Sequence, residues 1–158
     1  MKVLVTGGAG FIGKRLTPKL QELGMEVIVM DSFVPNVHGP IAKPDFAEDI
    51  KIINDDIVNI GNYEKTLASI DWIFHLASET GTGESMYRIT RYTKTNTLGT
   101  AKLIEFFSRL NPDAGITLTS SRSVYGEGAY RCSNGHVLFP SQDQTPFYLE
   151  LPRCKCGA

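Results

Sequence analysis

The chain has 158 residues, 42% of them hydrophobic, and a formal net charge of −1. That is enough for one ordinary core and at most about one and a half domains. The balanced charge argues against a nucleic-acid partner, and no apolar run is long enough to span a bilayer. The N-terminus opens straight into a strand pattern with no signal peptide, so a cytoplasmic enzyme domain is the expectation.

The first element is the apolar run Val3-Leu4-Val5, read as a strand. A glycine-rich turn, Thr6-Gly7-Gly8-Ala9-Gly10-Phe11-Ile12-Gly13, follows it and opens an amphipathic helix. Each glycine has a physical reason. Gly7 adopts the turn, Gly10 lets the main chain approach a pyrophosphate, and Gly13 lets helix and strand pack closely. The phosphates would sit on the helix N-terminus, where free N–H groups and the dipole favour negative charge. Pro18 falls inside this helix and predicts a kink or a shortened first turn.

A second strand, Val27 to Met30, ends in Asp31, which lies 18 residues beyond Gly13. A dinucleotide fold places there the carboxylate that accepts both ribose hydroxyls, and an acid at that point repels a 2'-phosphate, favouring NAD over NADP. The alternative is an acidic turn residue that closes the strand. Ser32 to Glu48 has no clear period and contains Pro35, Gly39, Pro40 and Pro44, so it reads as a long loop. It either covers the adenosine side of the ligand crevice or is plain surface.

Strand patterns recur at Lys51–Ile53, Trp72–His75 and Ile116–Ser120, alternating with helical patterns at about Ile60–Ser69 and Arg91–Leu110. Such alternation predicts an α/β fold of the Rossmann type, a doubly wound parallel sheet with helices on both faces. In the last helix Ala101, Leu103, Ile104, Phe107 and Leu110 form the expected core stripe, and Asn111-Pro112 stops it.

Five motifs together carry a family resemblance. They are Thr6-Gly-Gly-Ala-Gly-Phe-Ile-Gly13, Asp56-Ile57, His75-Leu76-Ala77, Asn96-Thr-Leu-Gly-Thr100 and Ser120-Ser121-Arg-Ser-Val-Tyr-Gly126. In order and spacing the chain resembles the extended short-chain dehydrogenases, the NAD-dependent epimerase/dehydratase family acting on nucleotide sugars. The resemblance covers residues 1 to about 126, the expected NAD-binding domain. It implies a cofactor site of Gly7, Gly10, Phe11, Ile12, Gly13 and Asp31, with Asp56 on the adenine amine and Ile57 on the ring. It also implies that the Leu76-Ala77 backbone lines the cofactor and that Asn96 braces the sheet near the active site. Plainer roles stay open: a solvated turn for Asp55 and Asp56, a strand-end histidine for His75, a helix cap for Asn96.

The resemblance further implies a catalytic hydroxyl at Ser121, four residues before Tyr125, with Ser120 and Ser123 in support. Ser121 would hydrogen-bond the sugar oxygen that becomes a carbonyl while a tyrosine removes its proton. Nucleotide-sugar dehydratases carry an acidic pair directly after this hydroxyl residue. Here Arg122 and Ser123 stand there, which favours epimerisation at C4 through a 4-keto sugar, or simple oxidoreduction. Asp31 to Pro40, Glu79 to Tyr87 and Gly126 to Cys132 narrow the resemblance to bacterial epimerases acting at C4 of dTDP-L-rhamnose.

Residues 127 to 158 hold all three cysteines. Cys132 and His136, then Cys154 and Cys156, form two close pairs that suit a structural, tetrahedral zinc, with unliganded thiols in a loop as the alternative. The family's base, a tyrosine followed four positions later by lysine, does not occur: the six tyrosines are followed at that spacing by Leu67, Arg91, Asn96, Ala129, Asn134 and Pro152. The chain therefore reads as the N-terminal part of a longer epimerase, inactive and poorly soluble by itself, whose full-length form pairs as a homodimer through helices such as Arg91–Leu110. The alternatives are a stand-alone NAD-binding module without catalysis and an NAD(P)-dependent nucleotide-sugar reductase or dehydratase.

Overall fold

In a computed structural model of the chain, the described residues are 1–39, 46, 50–121 and 129–138. They fall into two compact units, residues 1–119 and residues 120–158. Five parallel strands build the first unit: β1 (Lys2–Thr6), β2 (Glu26–Asp31), β3 (Lys51–Asn54), β4 (Trp72–His75) and β5 (Gly115–Leu118). Their order across the sheet is β3-β2-β1-β4-β5. The chain moves outward from β1 through β2 to β3, then crosses back to place β4 on the other side of β1. The C-terminal ends of β1 and β4 therefore flank the point at which such sheets open a ligand crevice.

Alternation along the strands separates two cores. Val3, Val5, Val27 and Val29 face one way and pack with Leu20 of α1 (Gly13–Glu22) and with Ile50. Leu4, Ile28, Met30, Ile53 and Ile73 face the other way, against Ile57, Ile60, Leu67, Leu103, Phe106 and Phe107. Because both faces are covered, the central strands read as continuous apolar runs. α1 runs unbroken through Pro18 and ends at Leu23 and Gly24, whose φ of +76° suits a glycine at a helix C-terminus.

The structure differs from the sequence reading at three helices. Within the segment read as loop, Pro35–His38 forms a short helix, α2. Its signals are local: proline presets the first helical turn, and Gly39, with φ +77°, ends it. The helix expected at Ile60–Ser69 is a 3₁₀ helix, Ile57–Tyr63, followed by one turn of α-helix, α3 (Glu64–Leu67). Asp56 starts it, its carboxylate accepting the Val58 N–H at 3.2 Å.

The long helix expected at Arg91–Leu110 begins slightly earlier and has three parts. After the single turn α4 (Thr82–Ser85), α5 (Ile89–Tyr92) leads into a π-helical stretch, Thr93–Gly99, and then α6 (Thr100–Leu110). Leu103, Phe106 and Phe107 are its buried face, with the two phenylalanine rings edge to face at 5.1 Å. Ala101 and Ile104, expected in the core, are exposed. Gly99, Leu103, Phe106, Phe107 and Leu110 keep a three-to-four spacing, and Ile104 lies one residue off that line.

The second unit contains an antiparallel hairpin, β6 (Tyr130–Arg131) with β7 (Val137–Leu138). Continuing its register sets Cys132 opposite His136, and the Cys132 N–H donates to the His136 carbonyl at 2.9 Å.

Candidate functional site

The glycine turn leaves β1 and closes on itself: the Gly7 N–H donates to the Met30 carbonyl at 2.8 Å, and the Gly10 N–H donates to the Gly7 carbonyl at 3.1 Å. Gly7 has φ +65°, and a Cβ on it would lie 2.7 Å from the Ala77 nitrogen. The turn thus lies directly against the Leu76-Ala77 backbone. A Cβ on Gly13 would run into the Gly8 main chain, which is why α1 can start so close to the turn. The Lys14 and Arg15 N–H groups at the start of α1 donate to the Gly10 and Ile12 carbonyls, each at 3.0 Å, so what the helix offers a pyrophosphate is the positive end of its dipole beside the glycine turn. Phe11 is 79% exposed beside them, with the Arg15 guanidinium 4.7 Å above its ring.

Asp31 ends β2 with its carboxylate folded back on the turn. Its Oδ2 accepts the Ala9 N–H at 3.0 Å, and Oδ1 accepts the Phe33 N–H at 2.9 Å. His38, to which the sequence assigns no role, stands with Nε2 3.3 Å from Oδ1. Asp56 is placed by β3 and the 3₁₀ helix, and Lys94 Nζ approaches its Oδ2 to 3.5 Å. Ile57, the next residue, is buried in the core. Asp55 turns away from this opening: Asn59 Nδ2 and Tyr63 Oη each donate to its carboxylate at 2.7 Å. Those bonds, the one from Asn59 foremost, hold the Asp55 carboxyl below its ordinary range.

A cavity of about 590 Å³ opens between these groups, bordered by Ser32, Pro35, Asp56, Arg88, Arg91 and Lys94. Arg91 is held there by Glu79, its Nε donating to Oε1 at 2.8 Å. Asn96 serves the same loop. Its Oδ1 accepts the Glu79 N–H at 2.8 Å and its Nδ2 donates to the Glu79 carbonyl at 3.0 Å, so both ends of the amide are engaged. Asn96 acts here on the loop that follows β4, behind Ala77.

His75 lies at the centre of a directed hydrogen-bond chain. Thr100 Oγ1 gives its one proton to the Asn96 carbonyl at 2.8 Å, so it accepts from His75 Nε2 at 2.9 Å. The Nε2–H tautomer leaves Nδ1 as acceptor for Thr6 Oγ1 at 2.7 Å, and Thr6 Oγ1 in turn accepts the Ala77 N–H at 3.3 Å. The chain links β1, β4, the cofactor-side loop and the long helix through a neutral imidazole. Threonines at a strand end and a helix start carry no sequence signal for this role. Spatial assembly alone brings them to the ring.

Burial lowers the His75 pKa. The unfolded chain therefore takes up a proton that the folded chain refuses, and stability falls as pH drops below about 6.5. This residue is expected to add at most about 1.4 kcal/mol per pH unit, one proton's worth, to the loss between pH 7 and 5. Urea unfolding of the wild type against His75→Gln at several pH values measures it, since the variant lacks that slope.

Ser121 lies in the second unit with an exposed side chain, and the Cys132–His136 hairpin belongs to that unit as well. Arg122, Ser123, Tyr125, Cys154 and Cys156 lie outside the described residues. Among the described residues no group of three or more His, Cys, Asp or Glu side chains is arranged to hold a metal, and no helix is long and apolar enough to cross a membrane.

Comparison with known proteins agrees with this geometry. The family described as "NAD dependent epimerase/dehydratase family" matches residues 3–147. The dTDP-L-rhamnose 4-epimerase of Burkholderia thailandensis is 36% identical over 145 residues, covering 89% of this chain and 40% of that protein. UDP-glucuronic acid decarboxylase 1 of Danio rerio is 35% identical over 140 residues, 86% of this chain and 32% of its own length. Among solved structures, UDP-glucose 4-epimerase of Thermotoga maritima with UDP-glucose superposes with a TM-score of 0.69 at 29% identity, covering 81% of this chain and 40% of that one. The UDP-glucose 4-epimerase of Bifidobacterium longum in complex with NAD+ and UDP gives 0.64 at 31% identity, covering 80% and 38%. The chain thus spans two fifths or less of the length of these relatives. A parallel sheet with a glycine turn at its switch point and an acid closing β2 accords with that match over nearly all its residues: the chain belongs to the NAD dependent epimerase/dehydratase family.

Proposed function

We propose that this chain is the NAD-binding portion of a nucleotide-sugar 4-epimerase. One observation carries the reading: the Asp31 carboxylate at the end of β2, held against the glycine turn by the Ala9 N–H, where an adenosine ribose would meet it. The residues fit the cofactor. The glycine turn and the positive end of α1 would take the pyrophosphate, Asp31 the ribose and Asp56 the adenine amine, with Ile57 at the ring and Leu76-Ala77 along the cofactor's other side.

When bound, NAD would supply a hydride acceptor for oxidation at the sugar's C4 and, once reduced, a hydride donor for the opposite face. Ser121 is the hydroxyl proposed to hold the C4 oxygen as it becomes a carbonyl, and the Arg122-Ser123 sequence in place of an acidic pair supports epimerisation over dehydration. The substrate class is a nucleoside-diphosphate sugar, with dTDP-L-rhamnose the favoured member given the similarity to the Burkholderia enzyme. No tyrosine of the 158 residues is followed four positions later by lysine, so this chain is expected to bind NAD without turning a sugar over. Exposed Leu98 and Ile104 on the long helix support pairing of the whole enzyme through that element.

Titration calorimetry with NAD and NADPH tests the cofactor assignment. The expected result is tighter binding of NAD by at least about tenfold, since the Asp31 charge repels a 2'-phosphate. A preference for NADPH would sink it. The Cys132–His136 pairing across the hairpin supports a structural zinc completed by Cys154 and Cys156. Metal analysis of the purified chain should then give about one zinc per molecule; none would leave the thiols without that role.

A further inference from the structure

Asp31 is already occupied on three sides. Oδ2 accepts the Ala9 N–H, Oδ1 accepts the Phe33 N–H, and His38 Nε2 lies 3.3 Å from Oδ1, with both the His38 and Asp31 side chains 7% exposed. Each carboxylate oxygen offers two lone pairs: Oδ1 takes the Phe33 N–H and has the His38 ring standing 3.3 Å away, where a second donor would approach, and Oδ2 keeps one direction open. A vicinal diol brings two hydroxyl donors and calls for an acceptor on each oxygen. One of the three present partners must leave.

Two of them are fixed. The Ala9 N–H belongs to the glycine turn, and the Phe33 N–H belongs to a residue held at φ +48°, a left-handed conformation that a non-glycine residue adopts only under constraint. His38 is the one side chain of the three. It sits at the last position of the four-residue α2, next to Gly39, and its ring leans on Phe33 at 5.4 Å. Turning its ring away breaks no main-chain hydrogen bond of the sheet or the glycine turn.

We propose that His38 sets how much the second ribose hydroxyl contributes to cofactor binding, by holding a hydroxyl's place on Asp31 Oδ1 until a vicinal diol displaces it. The proposal rests on Asp31 as the ribose acceptor. A ligand with one hydroxyl uses the open direction of Oδ2 and leaves His38 where it is. A diol binds only the fraction of molecules in which the imidazole has moved, and its apparent affinity is reduced by that fraction.

The test is calorimetry of the whole chain with NAD and with 2'-deoxy-NAD, the adenosine ribose lacking one hydroxyl, using wild type, His38→Phe and Asp31→Asn. Phenylalanine keeps a ring against Phe33 and removes the nitrogen. His38→Phe should tighten NAD by about five- to tenfold and move 2'-deoxy-NAD by less than about twofold. Unchanged or weaker NAD binding in His38→Phe, with Asp31→Asn still impaired, overturns the proposal alone. If Asp31→Asn binds NAD as well as the wild type, or if the wild type binds no NAD, the ribose reading and the proposal fall together.

The wild type gives a second readout that needs no variant. The chain has three histidines, so imidazole ¹⁵N resonances are few. Saturating NAD should move the His38 Nε2 signal as its carboxylate contact is lost; an unmoved signal in an NAD-saturated sample overturns the displacement.

Discussion

Asp31→Asn is expected to weaken NAD binding by about a hundredfold, roughly 3 kcal/mol, as one hydroxyl bond to a charged acceptor is lost and the other becomes a bond to a neutral amide oxygen. The amide keeps one acceptor oxygen and gains an NH₂ group that accepts nothing. In the free protein that NH₂ faces either the Ala9 N–H or the Phe33 N–H, both of which now donate to a carboxylate oxygen at 3.0 and 2.9 Å. One main-chain donor is left unpaired in a buried place, so a stability loss of about 1–3 kcal/mol accompanies the affinity loss. The two effects separate experimentally: calorimetry reads the first, and urea unfolding without ligand reads the second. NADPH supplies a further contrast. Without the carboxylate charge a 2'-phosphate is repelled less, so the gap between the two cofactors should narrow in Asp31→Asn.

Gly7→Ala is expected to lower stability by about 3–5 kcal/mol, or roughly 10 °C in melting temperature for a chain of this length. Two terms add. The left-handed φ of +65° costs a side-chain-bearing residue about 1–2 kcal/mol. The new methyl then meets main chain on the opposite strand end, 2.7 Å from the Ala77 nitrogen and 2.8 Å from its Cα, atoms that no rotamer change can move. Gly24 is the internal control. Its φ is +76°, yet nothing stands within 4 Å of where its Cβ would be. Gly24→Ala should therefore show the conformational term alone, about 1 kcal/mol. Equal melting temperatures for the two variants would mean that the approach of the turn to Ala77 is not tight.

The sheet was legible because its signals are repetitive and local. Valines alternating with other apolar residues at Val3-Leu4-Val5 and Val27-Ile28-Val29-Met30 state both a strand and two buried faces, and the spacing from the glycines to Asp31 follows from one helix plus one strand. The helices were less legible where tertiary contact overrides period. Ile104 matched a stripe yet faces out, because Phe106 and Phe107 fill the space against Ile57 and Ile60. α2 was hidden in a proline-rich stretch whose two end signals, Pro35 and Gly39, are the same residues that mark loops. Of the site, the glycine turn and the acid closing β2 were readable as motifs. His38, Lys94 and the threonines around His75 were not, since each acts through a neighbour that only folding supplies.

The π-helical stretch at Thr93–Gly99 has a consequence for how the long helix keeps time with its surroundings. A π turn takes in one residue more than an α turn, so it resets the angular phase of everything before it relative to everything after it. The segment after the stretch is clocked by Leu103, Phe106 and Phe107 in the core, and Asn96, within it, is clocked by the Glu79 main chain. An uninterrupted α-helix would have to satisfy both with a single phase. The wider turns let the two anchorages be chosen independently, with Gly99 at the seam, where a Cβ would stand 2.5 Å from an Ile57 methyl. Deleting a single residue there while restoring α geometry should leave both anchorages near their present phase, because the π turn holds about one residue more than the α turn it replaces.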